Sequence, residues 1–242
     1  MYKGGNMNDF KGFTLAETLI TLGIIGVVVA LTIPTLVANY KKQMIISQLK
    51  ATYSILNQAF KMAEVKNGPI DTWTGWNSSA TILEQYILPE IKGAQYYGMS
   101  GDKGWKKPMC YDETVKLQTG HQCQYTWFPG ARSYMSTPMG WYTSSFKLPN
   151  GACVGLNPNN YTPYHLFIDV NGGKGPNAAG KDLFIFIIDN NQIQPFGFNL
   201  TDDEINNGTG VPGTYRCGRK NNTVGYTCAT RIIRDGWKIN YY

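Results

Sequence analysis

The chain has 242 residues, of which 43 % are hydrophobic, and its 16 Tyr and 6 Trp supply large apolar side chains. This composition supports one medium domain with an appendage and excludes a disordered protein. The formal net charge of +6 is spread over separated Lys and Arg residues rather than gathered into a stripe, so nucleic acid is not a favoured partner.

The N-terminal region contains an uninterrupted apolar segment. No charged residue occurs from position 18 to position 40, and the stretch TLITLGIIGVVVALTIPTLV is long enough to cross about 30 Å of hydrocarbon as a helix. A cleaved secretory signal has a shorter apolar stretch followed by a small-residue cleavage site. The segment therefore predicts a single-pass membrane helix, and a plain anchor is its simplest interpretation.

Two details at the start of this segment argue against a plain anchor. Glu17 places a carboxylate inside an otherwise apolar helix, where a charge costs on the order of 2.5–3.5 kcal/mol and usually has a partner. A short polar leader ends in Lys11-Gly12, directly before Phe13. Because glycine has no side chain, an extended peptide can enter a narrow protease cleft at this point.

Residues 11–36, KGFTLAETLITLGIIGVVVALTIPTL, closely resemble the N-terminus of type IV pilins and of the pseudopilins of type II secretion. The resemblance implies that a membrane-embedded prepilin peptidase cuts after Gly12 and methylates the new amino terminus, Phe13. It also implies that Glu17 neutralises the terminal amine of a neighbouring subunit during assembly. A buried carboxylate and a buried ammonium are each costly alone and tolerable as a pair, which agrees with this role.

The resemblance also implies a location. The leader would lie in the cytoplasm, the helix would cross the cytoplasmic membrane once, and the rest of the chain would become part of a periplasmic or extracellular filament. The distribution of lysines does not support this orientation, because two lysines precede the span and three follow it closely. The expected orientation therefore depends on the family motif.

Pro34 lies inside the helical pattern. Its missing amide hydrogen and its ring are expected to kink or loosen one turn. One interpretation is a kink that a membrane helix tolerates. The resemblance implies another, in which a proline near this position lets the helix partly unwind in the assembled filament.

The predicted helix continues beyond the membrane segment. From position 45 onwards, apolar residues recur at steps of three and four, which places them on one helix face. This stripe consists of Ile45, Ile46, Leu49, Tyr53, Leu56, Phe60 and Ala63. The pattern stops at Asn67-Gly68-Pro69, so we expect a leader over 1–12 and a helix over 13–66, about 80 Å long at 1.5 Å per residue.

Residues 67–242 are predicted to form a globular head on which the helical stripe packs. Residues 67–142 lack sustained periodicity and predict an irregular connection with a short helix near 79–91. Strand-like runs follow at 144–148, 152–156, 164–170, 182–188 and 193–198, and a short helix is expected over 228–237. The predicted class is α+β, with a long N-terminal helix packed on an antiparallel sheet as in pilins.

Five cysteines lie in the head: Cys110, Cys123, Cys153, Cys217 and Cys228. Their spacing matches no zinc pattern, and outside the cytoplasm disulfides are the default. Pairing of sequence neighbours is favoured because turn-like sequence separates them, which joins Cys217 to Cys228 and Cys110 to Cys123 and leaves one thiol over. The spacing alone leaves the connectivity open.

The segment DVNGGKGPNAAGKD, residues 169–182, is the one candidate metal site. Asp169, Asn171, Asn177 and Asp182 offer the oxygen ligands that Ca²⁺ prefers. The segment is not an EF-hand, because Lys174 stands where that loop needs glycine. A long hairpin loop with Asx-turns is the favoured interpretation, and a calcium site is the alternative.

No enzyme is predicted. The chain has only His121 and His165, and it shows no nucleophile-elbow, zinc-protease or phosphate-loop pattern. His165 lies in an aromatic strand and is expected to be half-buried filler. The acidic run Asp202-Asp203-Glu204 predicts a solvated turn or the start of a helix.

The sequence therefore predicts a structural subunit of a type IV pilus-like or type II secretion filament. Its expected partners are related pilin subunits, the prepilin peptidase, the membrane and the assembly machinery of the inner membrane. The alternative is a membrane-tethered binding module that never polymerises, to which the aromatic residues of 67–142 would contribute.

Overall fold

The computed structural model describes residues 12–99, 144–157, 164–172, 179–207, 216–218 and 225–242. The chain divides into two compact units, residues 1–42 and residues 43–242. The first helix, α1 (Leu15–Asn67, 53 residues), begins in the first unit and ends in the second. The predicted long helix is confirmed, with bounds that differ by one or two residues.

The part of α1 that belongs to the first unit carries no charged residue from Thr18 to Tyr40. None of the residues in its most apolar 18-residue window is buried within the protein, and the helix is long and apolar enough to cross a membrane. Two of its threonines donate their hydroxyls to the helix backbone: Thr21 donates to the carbonyl of Glu17 at 3.0 Å, and Thr32 donates to that of Val28 at 2.8 Å. These bonds make the threonines compatible with an apolar surrounding.

The end of α1 is defined by backbone geometry. Gly68 has φ +85°, a left-handed conformation that glycine adopts without strain, and its N–H donates to the carbonyl of Glu64 at 2.9 Å. Pro69 follows and cannot continue the helix. The predicted stop is thus confirmed, and the reversal brings the chain back towards the head.

The head contains a six-stranded antiparallel sheet in which strand order follows chain order. Its strands are β1 (Gln95–Met99), β2 (Ser144–Lys147), β3 (Cys153–Asn157), β4 (Tyr164–Asp169), β5 (Leu183–Asp189) and β6 (Gln192–Pro195). All five predicted strands are present, and the structure confirms the α+β, pilin-like architecture. The sequence analysis missed β1, in which the pairing with β2 is irregular between Tyr96 and Gly98.

The described part of the head also contains three short α-helices: α2 (Ser79–Ile82), α3 (Asp202–Asn207) and α4 (Cys228–Arg234). The predicted helix over 79–91 is confirmed as a composite, because α2 passes into a π-helical turn (Leu83–Ile87) and a 3₁₀ turn (Leu88–Glu90). The acidic run over 202–204 forms the first turn of α3, as expected for a helix start.

The head side of α1 supplies one wall of the core. The buried residues of α1 are Ile46, Leu49, Thr52, Leu56, Ala59, Phe60 and Ala63. Five of the seven predicted stripe residues are among them, and the other two, Ile45 and Tyr53, are partly buried. Tyr53 stacks on Phe186 of β5 with ring centroids 5.2 Å apart, and its hydroxyl donates to the carbonyl of Ile193 at 3.0 Å.

Thr52 is fully buried although the hydrophobic pattern did not include it. Its hydroxyl oxygen accepts a hydrogen bond from Asn150 Nδ2 at 3.0 Å, which ties α1 to the turn between β2 and β3. A buried polar side chain needs such a partner, because leaving it unsatisfied costs about 1–3 kcal/mol. Asn150 also accepts from the N–H of Ala152 and so shapes the same turn.

The cysteine pairing is partly as predicted. Cys217 and Cys228 form a disulfide with Cα atoms 4.9 Å apart. Cys153 is also disulfide-bonded. Pairing of sequence neighbours would leave Cys153 as the free thiol, so that part of the prediction is wrong. Cys110 and Cys123 lie outside the described residues.

We predict that Leu56→Ala destabilises the head by about 2–5 kcal/mol, because it opens a cavity at a side chain that is 0 % exposed. The free energy of unfolding of the full chain in detergent, from chemical denaturation, measures the effect. Val65→Ala is the matched control, since Val65 lies on the same helix at 84 % exposure and its truncation should cost less than about 0.5 kcal/mol. Equal losses in the two variants would contradict the packing of α1 on the sheet.

Candidate functional site

Gly12 and Phe13 lie in a non-helical stretch directly before α1. Phe13 is 87 % exposed, and no atom of the chain lies within 4 Å of the place where a Cβ on Gly12 would stand. The conformation of Gly12 is not one reserved for glycine either. The fold itself therefore does not require glycine at position 12, and an accessible Gly-Phe bond is what a protease needs.

The start of α1 is closed by a capping box formed by Thr14 and Glu17. The N–H and the hydroxyl of Thr14 each donate to Glu17 Oε2 at 2.8 Å, and the N–H of Glu17 donates to Thr14 Oγ1 at 3.3 Å. These bonds satisfy backbone groups that a helix start otherwise leaves unpaired. Thr14 was not among the predicted site residues, although a threonine three positions before a glutamate and ahead of an apolar run is the known signature of this motif.

The carboxylate of Glu17 is oriented but not neutralised. Both hydrogen bonds from Thr14 reach Oε2, and no cation of the described residues pairs with Glu17. An exposed carboxylate held in one direction, at the beginning of an apolar helix, can form an ion pair with a cation of another molecule. In an apolar surrounding that pairing offsets the cost of both charges.

Two glycines lie on the exposed apolar part of α1. A Cβ on Gly23 or Gly26 would meet no atom of the chain within 4 Å. Glycine inside a helix costs about 1 kcal/mol relative to alanine, and nothing within this chain uses the space that it leaves. Small residues on membrane helices let other helices approach closely, so these positions fit contacts with helices of other chains.

Pro34 lies within α1, as the sequence analysis assumed. A proline has no N–H, so the carbonyl four residues earlier, that of Ala30, loses its usual helical donor. A kink or a local unwinding at this position stays a prediction.

Three of the four predicted metal ligands are described, and they lie together at one end of the sheet. Asp169 ends β4, Asp182 directly precedes β5, and their side chains are 1 % and 0 % exposed. Asn171 joins them, because its N–H donates to Asp169 Oδ1 at 3.2 Å and its Nδ2 donates to Asp182 Oδ2 at 3.1 Å. The fourth predicted ligand, Asn177, lies outside the described residues.

The chemistry of this dicarboxylate site fits a hard cation. Asp169 Oδ2 is buried without any hydrogen-bond partner. Burial and the nearby charge of Asp182 raise the pKa of Asp169 to about 8. Carboxylate and amide oxygens are the ligands that Ca²⁺ takes, although three described ligands are fewer than the six to eight of a complete shell.

No larger acidic, histidine or cysteine cluster accompanies this site. Among the described residues, no group of three or more His, Cys, Asp or Glu side chains could hold a metal ion. Within the described residues, the ligands that this site offers are two carboxylates and an amide.

His165 differs from its prediction. It is only 6 % exposed rather than half-buried, and its ring packs near those of Phe196 and Phe167 with centroids 5.7 Å and 6.4 Å away. Burial lowers the pKa of His165 to about 4, because the imidazolium cannot be hydrated in this aromatic surrounding. His165 is therefore a neutral core residue. His121 lies outside the described residues.

Two family models match the chain. The prokaryotic N-terminal methylation motif matches residues 7–33, and a family of unknown function (DUF6613) matches residues 35–143. No curated protein and no solved structure matches it. The first match includes Gly12, Phe13 and Glu17, and it confirms the resemblance to type IV pilins and pseudopilins.

The chain therefore carries the N-terminus of a pilin-like substrate for processing and methylation, and the apolar α1 fits a membrane-anchored precursor. The class that this motif defines is structural rather than enzymatic. The second match begins directly after Pro34 and adds no function.

We predict that Asp169 makes the metal-free protein less stable as pH rises. The unfolded chain releases this proton near pH 3.8, whereas the folded chain keeps it until about pH 8, so the unfolded state binds fewer protons between those values. Stability should fall through this window by up to about 1.4 kcal/mol per pH unit and then level off. Asp169→Asn should remove the fall, as measured by denaturation in EDTA at pH 5, 6, 7 and 8.

The control for this prediction is Asp71→Asn, which changes an exposed carboxylate in the same head. It should leave the pH dependence of the wild type unchanged. If the free energy of unfolding changes with pH to the same extent in Asp169→Asn and in the wild type, Asp169 ionises normally and the prediction is wrong.

Proposed function

We propose that this chain is a structural subunit of a type IV pilus-like or type II secretion filament, released by prepilin peptidase cleavage after Gly12. The observation that carries the proposal is the oriented, unpaired carboxylate of Glu17, four residues beyond an accessible Gly-Phe bond and within the methylation motif. Cleavage there creates an ammonium group on Phe13, and methylation keeps its positive charge. The two groups required for an intermolecular ion pair then lie at the same end of α1.

The ion pair would set the register between subunits. Glu17 of one subunit accepts the charge of the Phe13 amine of the next, and sliding by one helical turn separates the charges by about 5 Å. In an apolar surrounding, this separation leaves both charges uncompensated and is strongly unfavourable. The charges of Glu17 and of the Phe13 amine thus select one axial position, while the apolar surface of α1 forms the contact between subunits.

The exposed apolar surface of α1 supports the same proposal. Its large hydrophobic side chains are 42–87 % exposed from Phe13 to Val37, so they need lipid in the precursor and other helices in a filament. Gly23 and Gly26 offer places where a second helix can approach closely. The helices would bundle in the filament core and the heads would form its surface.

The disulfide of the head supports a location outside the cytoplasm. Disulfides such as Cys217–Cys228 form and persist in oxidising compartments. We therefore propose a single-pass precursor in the cytoplasmic membrane with its head outside the cytoplasm, which the assembly machinery of the inner membrane extracts into a periplasmic or extracellular filament.

Two substitutions separate the charge of Glu17 from its capping role. Glu17→Gln keeps an oxygen that can accept from Thr14 and removes the charge, so we predict normal insertion and cleavage but no filaments. Thr14→Ala removes the cap, at about 0.5–2 kcal/mol of helix stability, and keeps the charge, so filaments should still form. Electron microscopy of sheared filaments, and intact mass of the chain from native membranes, measure the two effects.

The outcomes distinguish the alternatives. Filament formation by Glu17→Gln, or an equal loss of filaments in both variants, would contradict a role of the Glu17 charge in setting the register. A wild-type chain in mature membranes that begins at Met1 rather than at methylated Phe13 would favour a membrane-tethered binding module that never polymerises.

We also propose that the dicarboxylate site of Asp169, Asn171 and Asp182 binds Ca²⁺ and stabilises the head. The orphaned oxygen of Asp169 favours this, because a divalent cation would satisfy it and neutralise both carboxylates at once. The ion would join the end of β4 to the start of β5. Its contribution is structural.

Calcium should raise the melting temperature of the full chain. At a free concentration 100 times the dissociation constant, binding adds about 2.7 kcal/mol, which corresponds to roughly 5–10 °C for a protein of this size. Asp169→Asn and Asp182→Asn should abolish the rise, and Asp71→Asn should retain it. A melting temperature that is the same in Ca²⁺ and in EGTA would exclude the site.

A further inference from the structure

A cavity of about 490 Å³ opens on the head, and the residues of the dicarboxylate site do not line it. The 3₁₀ turn after α1 contributes Ile70 and Asp71, and the loop that follows contributes Trp76. Its other walls come from the paired positions Tyr164 and Ile188 of β4 and β5, and from the β5–β6 turn over residues 189–191. This volume lies within the range of small-ligand sites.

The aromatic walls are held by hydrogen bonds that use the side-chain donors of both residues. The indole N–H of Trp76 donates to the carbonyl of Ile70 at 3.1 Å, and the hydroxyl of Tyr164 donates to the carbonyl of Trp76 at 2.7 Å. Their rings contact each other with centroids 4.3 Å apart. Trp76 and Tyr164 are therefore fixed in place, and they offer a ligand π surface rather than hydrogen-bond donors.

The turn that closes the cavity is also preformed. Asn190 and Asn191 have φ angles of 47° and 61°, as in the two-residue turns that join antiparallel strands. Asn190 Nδ2 donates to Asp189 Oδ2 at 3.1 Å, which orients this carboxylate. A ligand would meet walls that already have their final shape.

The charge of the cavity is opposite to that of the whole chain. Its described lining residues include two carboxylates, Asp71 and Asp189, and no lysine or arginine, whereas the chain carries a formal charge of +6. Asp71 makes no hydrogen bond or ion pair with the described residues. Carboxylates next to the faces of aromatic rings attract cations, and Ile70 and Ile188 add an apolar floor.

We propose that this cavity binds an organic cation, an ammonium group on a short aliphatic stem. The ammonium would lie between Asp71 and Asp189 and against the aromatic rings, and the stem would cover the isoleucine floor. A neutral sugar fits less well, because it carries no positive charge to pair with Asp71 and Asp189. The ligand could be a free amine or a lysine side chain of another protein, and the inference does not depend on filament formation.

The test uses the full chain in detergent, labelled with 5-fluorotryptophan and observed by ¹⁹F NMR. The chain has six tryptophans, and the resonance of Trp76 is assigned as the one missing from Trp76→Phe. Butylammonium should shift this resonance saturably, whereas butanol, its uncharged analogue of similar shape, should not. Asp71→Asn and Asp189→Asn should each weaken binding by about 5-fold or more, since each removes one charge beside the cation.

Glu84→Gln is the control, because Glu84 is an exposed carboxylate of the same head that does not line the cavity. It should leave the affinity unchanged. Comparison of butylammonium with N-acetyl-lysine methylamide distinguishes a free amine from a lysine side chain by which of the two binds more tightly. The proposal is overturned if Trp76 does not respond, if butanol or cellobiose shifts it as strongly, or if Glu84→Gln weakens binding as much as Asp71→Asn.

Discussion

The packing of α1 on the sheet is the interaction on which the head depends. One face of the helix is fully buried at Leu49, Leu56 and Ala63. Tyr53 stacks on β5 and donates a hydrogen bond to the carbonyl of Ile193 in β6. An antiparallel sheet needs one covered face, and the helix provides that cover. The same helix carries no charged residue from Thr18 to Tyr40, and its large apolar side chains there are exposed.

Much of this architecture could be predicted from the sequence because it depends on patterns among residues that are close together in the chain. The steps of three and four along α1, and the stop at Gly68, depend only on neighbouring residues. Thr52 could not be predicted, because it is polar and its partner Asn150 lies 98 positions away. The bonded state of Cys153 is likewise set by the fold rather than by spacing, and β1 has too little alternation to be recognised.

The candidate sites differ in the same way. Gly12, Phe13 and Glu17 could be recognised because the motif is contiguous, and even Thr14 has a local signature. The cavity could not, since its walls come from positions near 70, 164 and 190 and only the sheet brings them together. The overall charge of +6 also says little about local potential, because two of the head's most distinct sites are acidic.

The order of the strands has a consequence for how the head folds. From β2 to β6 every strand pairs with the next strand in the chain, so each hairpin forms by closing a short segment. Contacts between α1 and the sheet span 98 and 140 positions, and closing such long loops is slow. Because α1 is N-terminal, its head-facing side is synthesised before the strands that cover it. Until those strands pack on it, the stripe that holds the head is itself an exposed apolar surface.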